Sequence, residues 1–474
     1  MGYILRGLSL GLGLSKPVNS GFSLPSFTSS DPMIIVGDSL TQRNNTMTTS
    51  KSVTRADGLF DWAMRDIPSI KTGIWYDATA TDGAAPPLFR GFNFGIASDA
   101  LNDIDGRTTP MVNYGAKLAL LMGGTNTGTD NSSYAQKKAS LDSILAKFET
   151  AGIYTILCTV APRVVVASGA TGSEILPAYR DVLLQLNDYI MTLESEWIKP
   201  VDVVPLMIDT QYERGDTLYF NARAGMLEDD VHWTQLGAYT ASIPVRPILQ
   251  QIYPNADQYD DAWFNADPTD AGNIILDGDL DGTGGTVQNG VTGTAPTNWV
   301  ARYTSSPSYA SGVTSVESNT DTGGQSAKFV LSCDGLGSST GFERFEFLPL
   351  GFRVNESLLT NGNYYRAFYK VRVRNNTDGI LGSLSLRILN NTQSRNDWAF
   401  EQTATTQQDE PYPDGDFDLW LVSQPAQFAT SNVITPYLYA DILENVSGSV
   451  DIYCDAAILR EVGDPETDFP YDNT

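Results

Sequence analysis

The stretch "MIIVGDSLTQ", residues 33–42, sets the apolar run Met33 to Val36 directly before Gly37-Asp38-Ser39-Leu40. A continuous apolar run, unlike an alternating one, is the pattern of a strand covered on both faces. Two readings compete for the Gly-Asp-Ser-Leu segment. One is a strand that closes in a turn. The other is a nucleophile held at the tip of a buried strand, and only the rest of the chain separates them.

The same texture recurs at 117–122 ("KLALLM"), 153–159 ("IYTILCT") and 202–208 ("DVVPLMI"), each predicted to be a buried strand. Helical stripes lie between them. Leu141, Ile144, Leu145 and Phe148 form one, and Leu183, Leu186, Ile190, Leu193 and Trp197 form another. Alternation of this kind implies an α/β domain, a parallel sheet between layers of helices. Ligands of such sheets gather at the C-terminal strand ends, where Ser39 stands.

The texture changes near residue 252. "YPNADQYDDAWFNADPTDAG" (253–272) is acidic and punctuated by proline and glycine, as a linker is. Beyond it alternation takes over. In "YYRAFYKVRVR" (364–374), Tyr365, Ala367, Tyr369, Val371 and Val373 share one face and Arg366, Lys370 and Arg372 the other. "SLSLRIL" and "SVDIYCDAAIL" repeat the habit, which predicts an all-β sandwich. The expected organisation is an extended docking or assembly segment (1–30), an α/β domain (31–252), the linker, a β-sandwich (273–463) and a tail (464–474).

Composition narrows the function. Length alone, 474 residues, argues for more than one domain. Thirty basic against 56 acidic residues give a formal charge of −26, which repels phosphate backbones and anionic lipid. Nucleic acid and membrane surfaces are therefore poor partners, and no run reaches the ~18 apolar residues of a spanning helix. Cys158, Cys333 and Cys454 have no metal-ligand spacing. Cys333 and Cys454 can pair only across neighbouring strands; free thiols are the expectation, since one cysteine is odd in any case.

"LRGLSLGLGLSKP" (5–17) lacks the uninterrupted apolar core of a signal peptide, and its period of two suggests an extended strand. Gly7-Leu8-Ser9-Leu10-Gly11 fits the spacing of a nucleophile elbow, but without a buried strand before it or a helix after it.

A serine hydroxyl needs a base within hydrogen-bond reach, and the base needs an orienting group. The chain has one histidine, His232, in "LEDDVHWTQLGAY" (227–239). Asp229 precedes it by three residues, a spacing that puts both side chains on one side of a turn. "TQLGAY" then opens a helix that fixes the loop. Asp230, next to Asp229, is the competing acid. Donors for an oxyanion come from "NFGIASDAL" (93–101), which offers the Gly95 N–H, and from "LLMGGTNTG" (120–128), which presents the Asn126 amide at the same sheet edge.

These four segments, in this order, resemble the SGNH (GDSL) hydrolase family over about residues 33–250. "GDSL" resembles its serine block, "NFGIAS" its glycine block, "GGTN" its asparagine block and "DDVH" its Asp-x-x-His block. The resemblance implies a flavodoxin-like α/β/α domain and ester hydrolysis without a metal or organic cofactor. Ser39 would be the nucleophile, His232 the base and Asp229 its orienting acid. The Ser39 N–H, Gly95 and Asn126 would be the oxyanion donors. The asparagine block departs from the family where Thr127 replaces its usual aspartate.

"NIILDGDLDGTGG" (273–285), "TNWV" (297–300) and "VDIYCDAAILREV" (450–462) resemble the edges of jelly-roll carbohydrate-binding modules. Asp277, Asp279 and Asp281 alternate in a way that suits a structural, oxygen-ligated calcium, though residue 288 is Gln rather than the Glu of a full calcium loop. The alternative is a solvated acidic turn. Trp299, Tyr303, Tyr309 and Trp398 are candidates for stacking on sugars, although aromatics at strand spacing are ordinarily core.

The Gly/Leu-rich N-terminus resembles those of phage and virion structural proteins. The combination suggests a serine esterase that deacetylates surface polysaccharide, as a homotrimer on a phage tail or as a secreted enzyme. The rivals are a general carboxylesterase or lipase, and a receptor-binding virion protein with a relic hydrolase domain.

Overall fold

The computed structural model describes residues 22–28, 31–45, 53–54, 57–65, 93–126, 133–254, 273–275, 277–319, 324–352, 354, 356–376, 379–389, 394–401, 415–423, 426–429 and 434–462. The Gly7–Gly11 decoy, most of the N-terminal segment, nearly all of the linker and the tail lie outside the described residues.

The α/β domain contributes strands β1 (Met33–Gly37), β2 (Val53–Thr54), β3 (Asn93–Gly95), β4 (Leu118–Met122), β5 (Tyr154–Cys158) and β6 (Ile198–Val201). Its helices are α1 (Ser39–Gln42), α2 (Leu59–Met64), α3 (Leu101–Gly106), α4 (Thr108–Asn113) and α5 (Tyr134–Thr150). They continue with α6 (Pro177–Ile190), α7 (Val204–Met207), α8 (Gln235–Ser242) and α9 (Arg246–Ile252).

Five of the strands form one parallel sheet in the order β3-β1-β4-β5-β6. Helices α3 to α6 pack in one group and α2, α7, α8 and α9 in another, giving the expected α/β architecture. Every residue of β1, β4 and β5 is buried, as their unbroken apolar runs require. The strand order is flavodoxin-like, so it reverses between β1 and β4 and opens a crevice beyond their C-terminal ends. Ser39 follows β1 and Asn126 follows β4, at that crevice.

One predicted strand is corrected. Residues 202–208 are not a strand: β6 ends at Val201, and Val204–Met207 is helical. Pro205 lies in the first turn of α7, where its missing N–H is not needed, and the Asp202 carboxylate accepts the Val204 N–H at 3.1 Å. Similarly, α6 stops at Ile190, so Leu193 and Trp197 lie beyond the helix whose stripe they extend.

The C-terminal region is a β-sandwich of mostly antiparallel strands. These are β7 (Thr286–Gln288), β8 (Val291–Gly293), β9 (Trp299–Tyr303), β10 (Ala310–Ser318), β11 (Gln325–Asp334), β12 (Phe342–Pro349) and β13 (Tyr364–Asn376). They continue with β14 (Leu381–Leu389), β15 (Ser394–Glu401), β16 (Gly415–Val422), β17 (Ala426–Gln427), β18 (Thr435–Leu443) and β19 (Ser447–Val462). One sheet runs β16-β13-β19-β11-β10-β8, with β17 beside β13; the other runs β2-β15-β14-β18-β12-β9-β7.

Tyr365, Ala367, Tyr369, Val371 and Val373 all face the core, as alternation predicts. The opposite face is not simply solvated, because Arg366 and Phe368 are buried there too. Phe368 packs with Trp420, Ala456 and Ile458. This layer lies towards the α/β domain: the Trp420 N–H donates to Arg65 O at 2.9 Å, and Arg246 Nη2 donates to Asp418 O at 2.9 Å. The short strand β2, within the span expected for the α/β domain, pairs instead with β15 of the sandwich. Two residues are too few to carry a periodic signal, so this splice is invisible in the sequence.

Trp299 and Tyr303 are fully buried, Trp299 stacking on Phe347 at 4.4 Å, so they are core and not sugar platforms. Tyr309 is exposed, and the Trp398 side chain lies outside the described residues. Strands β11 and β19 are neighbours, but their register sets Cys454 opposite Ala327 and Cys333 opposite Gly448. Six residues along a strand are about 20 Å, and all three cysteines are free.

Among the described residues no helix is long and apolar enough to cross a membrane. Asp277, Asp279 and Asp281 do not gather a carboxylate oxygen each within 4.8 Å, whereas Glu228, Asp229 and His232 do gather ligand-type atoms so. Asp277 instead accepts from Asn298 Nδ2 at 2.5 Å.

Candidate active site

The strand tip is built by close approach. A Cβ on Gly37 would fall 2.0 Å from Met122 O and 2.1 Å from Thr41 Oγ1, so only glycine lets α1 fold back over β1 and β4. Asp38 then caps α1, its carboxylate accepting the Leu40 N–H at 3.1 Å. Ser39 is thereby the first residue of the helix, and among the described residues no acceptor takes its N–H.

His232 arrives on a loop clamped at both ends. The Glu228 N–H donates to His232 O and the Thr234 N–H to Met226 O, while Trp233 is fully buried. Thr234 caps α8 through the Gly237 N–H, as the sequence predicts for "TQLGAY". Glu228 also pairs with Arg43, next to α1, tying this loop to the helix that begins at Ser39.

The loop places His232 Nε2 2.9 Å from Ser39 Oγ, and Nδ1 2.7 Å from Asp229 Oδ2. The other Asp229 oxygen accepts the backbone N–H groups of Val231 at 2.7 Å and His232 at 2.6 Å. Burial opposes the charge on Asp229, but these hydrogen bonds outweigh it and hold the carboxyl below its ordinary value. A charged carboxylate accepts from Nδ1–H, and Nε2 is then free to take the serine proton. Asp230 turns elsewhere, with its carboxylate on the Ser173 N–H at 3.1 Å and its carbonyl on the Val164 N–H.

Asn126 sits just past β4. Its Nδ2 donates to Asp99 O at 3.1 Å, and among the described residues no acceptor takes its second amide hydrogen. Gly95 does not have the role the sequence suggests. Its N–H donates to Asn93 Oδ1 at 2.9 Å, and a Cβ there would meet Gln42 N at 2.2 Å. Glycine is needed at that position for α1 to lie against β3.

The sequence does not single out Ser98. It has φ +70, a left-handed conformation uncommon outside glycine and asparagine, and no acceptor among the described residues takes its N–H. On one side Ala97 N–H donates to Gln42 Oε1 of α1; on the other, Asp99 O holds the Asn126 amide. Only the turn-prone Ser-Asp pair after "GIA" hinted at such a bend.

Beneath Ser39, the Asp38 carboxyl is 1% exposed. Burial, aided by the charge of Asp99, pushes it up to about 7 against the Leu40 hydrogen bond and the charges of Lys137 and Arg163. A raised carboxyl binds its proton more tightly in the folded state. Its stabilising contribution is therefore complete below about 4 and lost as pH rises through about 7. Asn keeps the cap but cannot ionise. Urea unfolding of Asp38→Asn should thus show stability relative to the parent rising between pH 4 and pH 7 by on the order of a few kcal/mol, then levelling. A flat difference would show that Asp38 is not perturbed.

No protein-family model matches the chain, and no curated protein does. Solved structures similar to parts of it include a GDSL-like lipase from Bacteroides thetaiotaomicron VPI-5482, with 14% identity and a TM-score of 0.30, over 49% of this chain and 94% of that one. A mutant acetyl-xylooligosaccharide esterase from Geobacillus stearmophilus shows 15% identity and a TM-score of 0.32, over 48% and 95%. A carbohydrate-binding module of the β-sandwich superfamily shows 11% identity and a TM-score of 0.22, over 34% and 56%. At this level of similarity the chain's own geometry carries the assignment: a flavodoxin-like α/β domain with a Ser-His-Asp hydrogen-bond chain at its switch point, joined to a β-sandwich.

Proposed function

We propose that the protein is a serine esterase that removes O-acetyl groups from a polysaccharide. The observation that carries the reading is the continuous path from Asp229 through His232 to Ser39, with both imidazole nitrogens within hydrogen-bond distance of their partners.

In this mechanism Ser39 Oγ attacks the ester carbonyl while His232 Nε2 takes its proton, and Asp229 stabilises the imidazolium that forms. The oxyanion is met by the Ser39 N–H, the second Asn126 amide hydrogen and the Ser98 N–H. His232 then returns the proton to the departing sugar hydroxyl. Water, deprotonated by the same nitrogen, attacks the acyl-Ser39 ester, and acetate leaves as the serine proton is restored. Loss of one oxyanion donor typically lowers kcat about 10²- to 10³-fold, so Asn126→Ala should do the same with a modest change in KM. An unchanged kcat would remove Asn126 from the oxyanion site.

Two assays test the reading. The protein should release acetate from p-nitrophenyl acetate, and a serine-directed fluorophosphonate should add one label per chain, on the peptide containing Ser39. A label elsewhere, or no turnover, would refute it. For the substrate, the sandwich supplies a second surface beside the esterase, and the charge of −26 disfavours strongly anionic polymers. A panel of acetylated polysaccharides against long-chain p-nitrophenyl esters decides the class; preference for long acyl chains would make the protein a lipase.

A further inference from the structure

The loop that carries Asn126 is held by buried side chains at each of three consecutive carbonyls. Lys137, on α5, is fully buried, and its Nζ donates to Gly124 O at 2.8 Å and Asn126 O at 2.7 Å. The carbonyl between them, Thr125 O, accepts from Arg163 Nη1 at 3.0 Å and from Tyr179 Oη at 3.1 Å. Arg163 follows β5 and Tyr179 is on α6, so three separate elements converge on three residues. The Lys137 ammonium also lies 5.3 Å from the centre of the Tyr179 ring.

Burying an ammonium is expensive, and the desolvation here is strong enough to lower Lys137 to about 8. A connection between a strand and a helix needs no such group, because water or a short backbone turn satisfies loose carbonyls. An ammonium anchored on α5 adds a fixed tether that a free water lacks. It pins two carbonyls on either side of a third, and so fixes the direction in which Asn126 leaves the loop.

We propose that Lys137 is the positioning residue of the oxyanion site, holding the Asn126 amide towards Ser39, with Tyr179 and Arg163 as its partners at the middle carbonyl. The inference rests on the esterase reading and extends it to residues that touch no substrate. Displacing a catalytic donor by about 1 Å can lower the rate about 10²-fold.

The test is a double-mutant cycle on p-nitrophenyl acetate hydrolysis by the full-length protein. Lys137→Met should lower kcat about 10- to 100-fold and move KM less than about threefold. In an Asn126→Ala background the same substitution should lower kcat less than about threefold further, because its effect passes through Asn126. Tyr179→Phe, which removes only the bond to Thr125 O, should show the same dependence on Asn126 at smaller size, and serves if Lys137→Met does not fold.

Losses that multiply independently of Asn126, or a kcat for Lys137→Met equal to the parent's, would overturn the role of Lys137 while leaving a Ser39-dependent esterase intact. A parent without Ser39-dependent hydrolysis would overturn both.

Discussion

Ser39→Ala should lower kcat for p-nitrophenyl acetate by about 10⁴- to 10⁶-fold, the range found when a serine nucleophile is removed from a base-and-acid triad. The substitution deletes one oxygen at a half-buried position, so folding should be unaffected and the loss assignable to chemistry. His232→Ala should lose as much. His232 Nε2 is the group on Ser39 Oγ, and the chain has no second histidine to replace it. Because the two act as one unit, the double variant should be scarcely worse than either single one. A Ser39→Ala protein that keeps more than about 1% of parental turnover would move the nucleophile elsewhere.

The second large effect separates two adjacent carboxylates. Asp229→Asn should lower kcat by roughly 10³- to 10⁴-fold, since an amide in that position no longer holds Nδ1–H and so no longer selects the tautomer that accepts the serine proton. Asp230→Asn should leave kcat within about threefold of the parent, as that carboxylate serves the Ser173 N–H. Equal losses at the two positions would refute the assignment. Acid should not discharge Asp229 early. Its carboxyl is held below its ordinary value, so the stability it contributes is present above about 4 and is lost only as pH falls through that depressed value.

Several features of the site were legible because their chemistry is local. A solitary histidine three residues after an aspartate, and a serine directly after an apolar run, constrain each other even 193 residues apart. Other features depend on approach between distant segments. Gly95 looked like a donor because glycine leaves its N–H accessible; in the fold that N–H is taken by Asn93, and the missing side chain accommodates Gln42. Ser98 went unnoticed because nothing in a serine announces a positive φ. Lys137 belongs to a helical stretch whose periodic signal is its apolar stripe, and a buried lysine reads like a solvated one until its surroundings are known.

Period and continuity of apolar residues determined by themselves that a parallel, helix-covered sheet precedes an alternating sandwich, since burial on two faces or one is written into each strand's own side chains. The same holds for Ser39 at the end of its strand. Tertiary structure decided the rest: that β1 lies between β3 and β4, that Asp229 and not Asp230 meets His232, that β2 joins the sandwich, and that a buried ammonium grips the Asn126 loop. Strand order, carboxylate direction and the pairing of backbone groups depend on which distant segments meet, and no residue carries that information alone.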